Sequence, residues 1–202
     1  MFSYRQSVIQ GDWQSSPTFC LFGKPLNDIN NATFGVIGLG DIGTATARLA
    51  ASLGMNVIYS ARSDKACEYA KRVSFDDLIS TSDIISVHCS LRPETEGLIS
   101  ARELKKMKSH AILINTARGG IVNETDVVDA IKNDIIGGLS FDVLAHEPPL
   151  EQSPVLSIAT RDNVIVTPHT AWASEQAIQS LVDILADNIN AFLLGSAQNI
   201  VN

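Results

Sequence analysis

The chain has few cysteines, no long apolar run and no block of basic residues, and each shortage removes a class of function. Cys20, Cys67 and Cys89 are its three cysteines and form no CxxC pair, so a disulfide framework is not expected, and no metal site is assigned. An odd, widely spaced set suits a reducing compartment, where each thiol serves as a small buried apolar side chain. No stretch approaches the ~20 apolar residues that cross a bilayer, and the start Met1-Phe2-Ser3-Tyr4-Arg5 is too polar for a signal h-region. The expected location is therefore the cytosol. With 15 basic against 22 acidic residues the net charge is -7, and no Lys/Arg run tracks a phosphate backbone, which argues against a nucleic-acid partner. Internal repeats and low-complexity segments are also missing.

What remains is a chain of 202 residues, 45% hydrophobic, enough for one good core and an appendage. Residues 1–33 carry no sustained period and are punctuated by Gly11, Pro17, Gly23 and Pro25, so they read as an arm. From Thr33 onward, β-rich apolar runs alternate with helical patterns, the signature of an α/β fold built on a doubly wound parallel sheet. Candidate strands are Phe34–Gly38, Asn56–Ser60, Ile84–His88, Ala111–Asn115, Gly138–Phe141 and Val164–Thr167. Helices are expected from about Ile42 to Leu53 with Gly54 as a left-handed cap, from Phe75 to Ser80 behind Ser74, after the capping box of Ser100 and Glu103, and from Asn123 to about Asn133. The division is 1–33 arm, 34–173 dinucleotide-binding domain, and 174–202 C-terminal helix and tail. That helix sets Ile178, Leu181, Val182, Leu185, Ile189, Phe192 and Leu193 on one stripe, so it needs a partner surface.

The sequence Gly38-Leu39-Gly40-Asp41-Ile42-Gly43 follows a strand and opens a helix, which is the context a GxGxxG turn requires to cradle a dinucleotide's pyrophosphate. Gly38 permits the tight turn, Gly40 lets backbone approach phosphate, and Gly43 lets helix and strand pack closely. A glycine-rich turn without a ligand and a methyl-donor cofactor are the alternatives. About 20 residues on, an NAD site carries an acid for the ribose hydroxyls; here Ala61 stands at that place, followed by Arg62 and Ser63. Those two can hold a 2′-phosphate, so NADP is favoured over NAD, with Asp64 the residue that could serve the ribose instead.

Later strand ends supply reactive groups. Arg118 lies in the glycine-flanked turn Thr116-Ala117-Arg118-Gly119-Gly120 and can hold a carboxylate and polarise a carbonyl. His169 follows Pro168 and brings an imidazole, the side-chain type suited to proton transfer, and Glu147 is its natural carboxylate partner, with His146 as a rival imidazole. Asp142 can accept a hydrogen bond from the nicotinamide carboxamide. His88 reads as a wall of the cofactor cleft, and His110 as a weaker candidate in a polar turn.

Together with Val87-His88-Cys89-Ser90-Leu91, Ile114-Asn115-Thr116-Ala117-Arg118-Gly119, Phe141-Asp142-Val143, Glu147-Pro148-Pro149 and Thr167-Pro168-His169-Thr170-Ala171-Trp172-Ala173-Ser174, the glycine turn resembles the D-isomer-specific 2-hydroxyacid dehydrogenases, above all bacterial glycerate dehydrogenases or hydroxypyruvate reductases. The resemblance covers nearly the whole chain. It implies a Rossmann-type domain, an oxidoreductase acting on a small 2-hydroxy or 2-keto acid (glycerate, hydroxypyruvate or glyoxylate), and a homodimer. It implies that Arg118 binds substrate, that Glu147 and His169 form an acid/base dyad, and that Asp142 orients the nicotinamide. Cofactor contacts are implied for Asp41, Ile42, Cys89, Ser90, Thr116, Ala117 and Ala171. Ser90 stands where many relatives have proline. In the family a substrate domain begins well before the arm and takes the C-terminal helix on its surface, so a part of that domain is expected to be missing here. The competing expectation is a non-catalytic nucleotide-binding remnant or interaction module; formate and phosphoglycerate dehydrogenases are the alternative subfamilies.

Overall fold

Central strands of a parallel sheet are covered on both faces, so their residues are apolar without alternation, and Phe34–Ile37 shows the consequence. Phe34 and Val36 pack on one face with Ala47, Ala50, Val57 and Tyr59, while Ile37 packs on the other with Leu78, Ile79, Ile85 and Val87. The computed structural model describes residues 2–23, 26–62 and 66–200. The chain divides into two compact units, Met1–Val166 and Thr167–Asn202.

The first unit is built on seven parallel strands: β1 (Thr33–Ile37), β2 (Asn56–Ser60), β3 (Lys71–Arg72), β4 (Ile84–Val87), β5 (Ile112–Asn115), β6 (Gly138–Phe141) and β7 (Val164–Val166). Their order is β3-β2-β1-β4-β5-β6-β7. The direction of winding reverses between β1 and β4, and that reversal opens a crevice at the carboxyl ends of the two strands. Six strands coincide with the apolar runs of the sequence. β3 does not, because Lys71 and Arg72 are exposed and have no apolar pattern; they join the sheet edge through Ile58↔Lys71 and Tyr59↔Arg72.

The helices of this unit are α1 (Phe2–Gln10), α2 (Asp41–Ser52), α3 (Phe75–Thr81), α4 (Ala101–Leu104) and α5 (Glu124–Lys132), with a 3₁₀ turn at Val155–Ile158. Their starts follow capping chemistry. Ser74 Oγ accepts from the Asp77 amide at 3.0 Å, Asn123 Oδ1 accepts from the Asp126 amide at 3.1 Å, and Glu103 accepts from the Ser100 amide and hydroxyl at 3.2 and 2.7 Å. Gly54, at φ +82°, follows the end of α2. The arm holds one element the sequence pattern did not disclose, α1, and then folds on itself as Trp13 Nε1 donates to the Phe19 carbonyl at 3.0 Å.

The second unit consists of a turn and α6 (Glu175–Leu193), capped by Ser174 Oγ, which accepts from the Ala177 amide at 3.1 Å. No residue of α6 is buried, so the whole apolar stripe from Ile178 to Leu193 is exposed. Among the described residues, no helix is long and apolar enough to cross a membrane, and no group of three or more His, Cys, Asp or Glu could hold a metal ion.

Candidate functional site

The glycine turn is wedged between strand ends. Gly38 donates to the Ser60 carbonyl at 2.9 Å, and the His88 amide donates to the Ile37 carbonyl at 2.7 Å. At φ +93°, a Cβ on Gly38 would lie 2.7 Å from the Cys89 amide nitrogen, and one on Gly43 would overlap the Gly38 carbonyl oxygen. These two glycines are demanded by the fold itself. Gly40 is different: its φ of -80° suits any residue, and a Cβ there would meet nothing within 4 Å. The folded chain sets no steric demand for glycine at that position and favours it over alanine only modestly as a helix N-cap, whereas a phosphate brought against the backbone requires it. Gly40 is also the N-cap of α2 and offers no capping side chain, in contrast to Ser74, Asn123 and Ser174. The first-turn amides of α2 and its dipole therefore present a ready place for an anion. On this observation the residues present fit a dinucleotide's pyrophosphate.

Beside the turn lies a cavity of about 440 Å³. Ile42 contributes from α2, His88, Cys89, Ser90 and Leu91 from the segment after β4, and Thr116, Ala117 and Arg118 from the segment after β5. All but Leu91 were singled out in the sequence; Leu91 joins them as an apolar wall. His88 Nε2 and Ser86 Oγ are 2.9 Å apart. Burial lowers the pKa of this imidazole, so it stands uncharged near neutrality. Burial likewise raises the Cys89 thiol, with an opposing backbone hydrogen bond, leaving a protonated, weakly nucleophilic group.

Arg118 is placed by Asn115, a buried amide at the end of β5. Asn115 Oδ1 accepts from the Ala117 amide at 3.1 Å and Nδ2 donates to the Arg118 carbonyl at 2.9 Å. The Arg118 guanidinium is exposed and donates to the Ala117 carbonyl at 2.7 Å. Gly119 then presses against the segment after β6: a Cβ there would overlap the Leu144 carbonyl. On that same segment Glu147 Oε1 accepts from the Leu144 amide at 2.8 Å, and Glu124 Oε1 accepts from the Ala145 amide at 2.6 Å. Arg118 and Glu147 thus sit on adjoining segments at the carboxyl end of the sheet. Asp142 is buried at the same end, its amide donating to the Asn115 carbonyl at 3.0 Å.

The other candidates are placed as follows. His169 and Ala171 belong to the second unit. His169, half-buried at φ +53°, donates its amide to the Thr167 carbonyl at 3.0 Å, and its carbonyl accepts from Trp172 Nε1 at 3.0 Å. His146 is exposed beside a small cavity of about 100 Å³ that Glu124 also lines. His110 lies at the amino end of the sheet, away from the cleft, where its Nε2 is 2.8 Å from Asp83 Oδ1; its role there is structural. Arg62 is exposed just past β2; Ser63 and Asp64 lie outside the described residues. Arg72, which the sequence pattern does not mark, donates from Nη2 to the Ala61 carbonyl at 3.0 Å. Its signal was hidden because the two-residue β3 has no apolar pattern. Glu124 and Gly119 were missed as clamps, since only the folded chain brings them to residues 144 and 145.

A family model described as the D-isomer specific 2-hydroxyacid dehydrogenase NAD binding domain matches residues 1–171. This chain belongs to that family. It is 45% identical over 198 residues to a protein named glycerate dehydrogenase from Methylorubrum extorquens, with 98% of this chain and 62% of the relative covered. It is 38% identical over 202 residues to a hydroxypyruvate reductase from Blautia hydrogenotrophica, with the same shares covered. The solved structure of D-lactate dehydrogenase with NAD+ from Lactobacillus jensenii is similar over 100% of this chain and 66% of that one, with a TM-score of 0.85 at 28% identity. The chain therefore spans about 62% of the length of these curated relatives.

Proposed function

We propose that this chain is the cofactor-binding part of a cytosolic D-2-hydroxyacid dehydrogenase that interconverts a small 2-keto acid, hydroxypyruvate or glyoxylate, with its 2-hydroxy acid, and that it prefers NADPH to NADH. The observation that carries the reading is Gly40: a glycine the fold does not require, at the uncapped start of α2, beside a cavity formed by the segments after β4 and β5. The names of two relatives, glycerate dehydrogenase and hydroxypyruvate reductase, support the substrate class.

Gly38, Gly40, Asp41, Ile42 and Gly43 would hold the pyrophosphate, Arg62 and Ser63 the 2′-phosphate, and His88, Cys89, Ser90, Thr116, Ala117 and Ala171 would line the rest. Asp142 would orient the carboxamide. When bound, the cofactor supplies the hydride for the substrate's C2 carbon. Arg118 pairs with the substrate carboxylate through its two-pronged guanidinium and polarises the adjacent carbonyl. His169 is assigned the proton for the carbonyl oxygen, with Glu147 as the candidate carboxylate of the acid/base pair. In the reverse direction His169 takes that proton back. A homodimer, implied by the family resemblance of the sequence motifs, is the proposed assembly, which light scattering would test.

Titration of the purified chain with NADPH and NADH, followed by hydroxypyruvate-dependent oxidation of NADPH, tests the proposal. Binding of NADPH below about 100 μM with loss of turnover in His169→Gln is expected. Binding of neither cofactor defeats the reading, and binding without turnover leaves a nucleotide-binding module.

A further inference from the structure

We infer that Glu124 is a positioning residue for the reaction proposed above, acting through the backbone that carries Glu147; this rests on the reading of Glu147 as the carboxylate of the acid/base pair. The segment after β6 turns exposed from Ala145 onward, and Pro148 and Pro149 bring it no N–H donors. The consecutive amides of Leu144 and Ala145 are taken by side chains, and both acceptors are carboxylates. Leu144 donates to Glu147 Oε1 at 2.8 Å and Ala145 donates to Glu124 Oε1 at 2.6 Å. The first bond lies within the segment and shapes it. The second reaches 21 residues back along the chain and fastens the segment to α5.

Glu124 is the first residue of α5, and the start of that helix is firmly held. Asn123 caps it, and Val127, Val128, Ala130 and Ile131 bury its inner face. Asp126, the other acid of the same turn, accepts from the Ala101 amide at 2.8 Å and ties the turn to α4. The half-buried Glu124 side chain therefore reaches the Ala145 amide from a fixed base. From another direction Gly119 lies against the Leu144 carbonyl, with no room for a Cβ. Gly119 directly follows Arg118, whose carbonyl Asn115 holds at 2.9 Å.

The segment is thus gripped twice: at the Leu144 carbonyl by the turn that carries Arg118, and at the Ala145 amide by α5. Without the second grip it can pivot about the first, and Glu147 lies just beyond the pivot. A misplacement of about 1 Å at reacting groups costs on the order of a hundredfold in rate, so a single amide bond next to Glu147 matters to turnover. Glu124 also stands in the first turn of α5, where a negative charge complements the helix dipole. The two effects separate by substitution. Glu124→Gln removes the charge and keeps an oxygen that can accept from Ala145, whereas Glu124→Ala removes both.

The test compares wild type with both variants on the chain as it stands, by amide hydrogen exchange, NADPH titration and hydroxypyruvate-dependent oxidation of NADPH. Glu124→Ala should exchange the Ala145 amide about tenfold faster and lower kcat about tenfold, with KM for hydroxypyruvate and Kd for NADPH within about twofold of wild type. The unchanged NADPH affinity reports an intact fold. Glu124→Gln should lose the same helix charge yet keep both kcat and Ala145 exchange within about threefold of wild type. Equal kcat in the two variants would reduce Glu124 to its helix charge and overturn the inference while sparing the reading of Glu147. Faster Ala145 exchange with undiminished kcat in Glu124→Ala would make the bond a structural clamp only, and overturns it too. A wild-type chain that oxidises no NADPH with hydroxypyruvate overturns the reading and the inference together.

Discussion

Asn115 closes the turn that carries Arg118: its side-chain nitrogen donates to the Arg118 carbonyl at 2.9 Å while its oxygen takes the Ala117 amide at 3.1 Å. Both partners are backbone groups at the mouth of the cavity, and Asn115 itself is buried. Replacing it with alanine leaves a donor and an acceptor unmatched, which costs about 1–3 kcal/mol. Denaturant unfolding of Asn115→Ala should show that loss. Asn115→Asp should fare no better, because a carboxylate cannot donate to the Arg118 carbonyl and would face it as a second acceptor. Wild-type stability in Asn115→Asp would show that the turn holds itself.

Asp83 ties three chain segments together at the opposite end of the sheet. Burial acts to raise its pKa, but hydrogen bonds from Lys108, the Thr33 amide and His110 outweigh it and lower the value from 3.8 to about 2. The folded state therefore binds the proton less readily than the unfolded chain. The associated stability is fully present above about pH 4 and is lost as pH falls through about 2. Since the carboxylate is partly exposed, its contribution near neutrality is discounted to roughly 1 kcal/mol. Melting temperature against pH should fall more gently for Asp83→Asn than for wild type between pH 4 and 2. Identical acid slopes would show that other carboxylates govern acid unfolding.

Strands were legible where burial on both faces demands apolar runs without alternation, as in Phe34–Ile37. Helix starts were legible where a short polar side chain serves the first-turn amides, as at Ser74 and Asn123. Lys71–Arg72 was not, because an exposed edge strand of two residues is set by its pairing with β2 and leaves no periodic trace. At the site, the residues after β4 and β5 announced themselves through motifs that travel along the chain. Contacts such as Glu124 with Ala145 and Gly119 with Leu144 are products of tertiary packing, and the sequence carries no local sign of them.

Cys89 offers a chemical probe of the cleft. It lines the 440 Å³ cavity, and its raised pKa keeps its reaction with a thiol reagent slow near pH 7. Mass-spectrometric mapping of N-ethylmaleimide adducts should show that saturating NADPH slows labelling of Cys89 at least fivefold. Cys20, in the arm, should label at an unchanged rate. Equal rates at Cys89 with and without NADPH would place the dinucleotide elsewhere.

Gly43 and Gly40 should respond in opposite ways to the same methyl group. Gly43→Ala drives a Cβ into the Gly38 carbonyl and should lower stability by about 1–3 kcal/mol along with cofactor affinity. Gly40→Ala meets open space in a backbone conformation that alanine adopts freely and loses only glycine's modest N-cap advantage, so its stability should stay within about 1 kcal/mol of wild type.

The most direct measurement is therefore the NADPH affinity of Gly40→Ala, taken beside its melting temperature. A melting temperature close to that of wild type with at least a tenfold weaker dissociation constant is the predicted result. Full NADPH affinity in a folded Gly40→Ala variant would contradict the account, since the backbone at that position would then have no phosphate to meet.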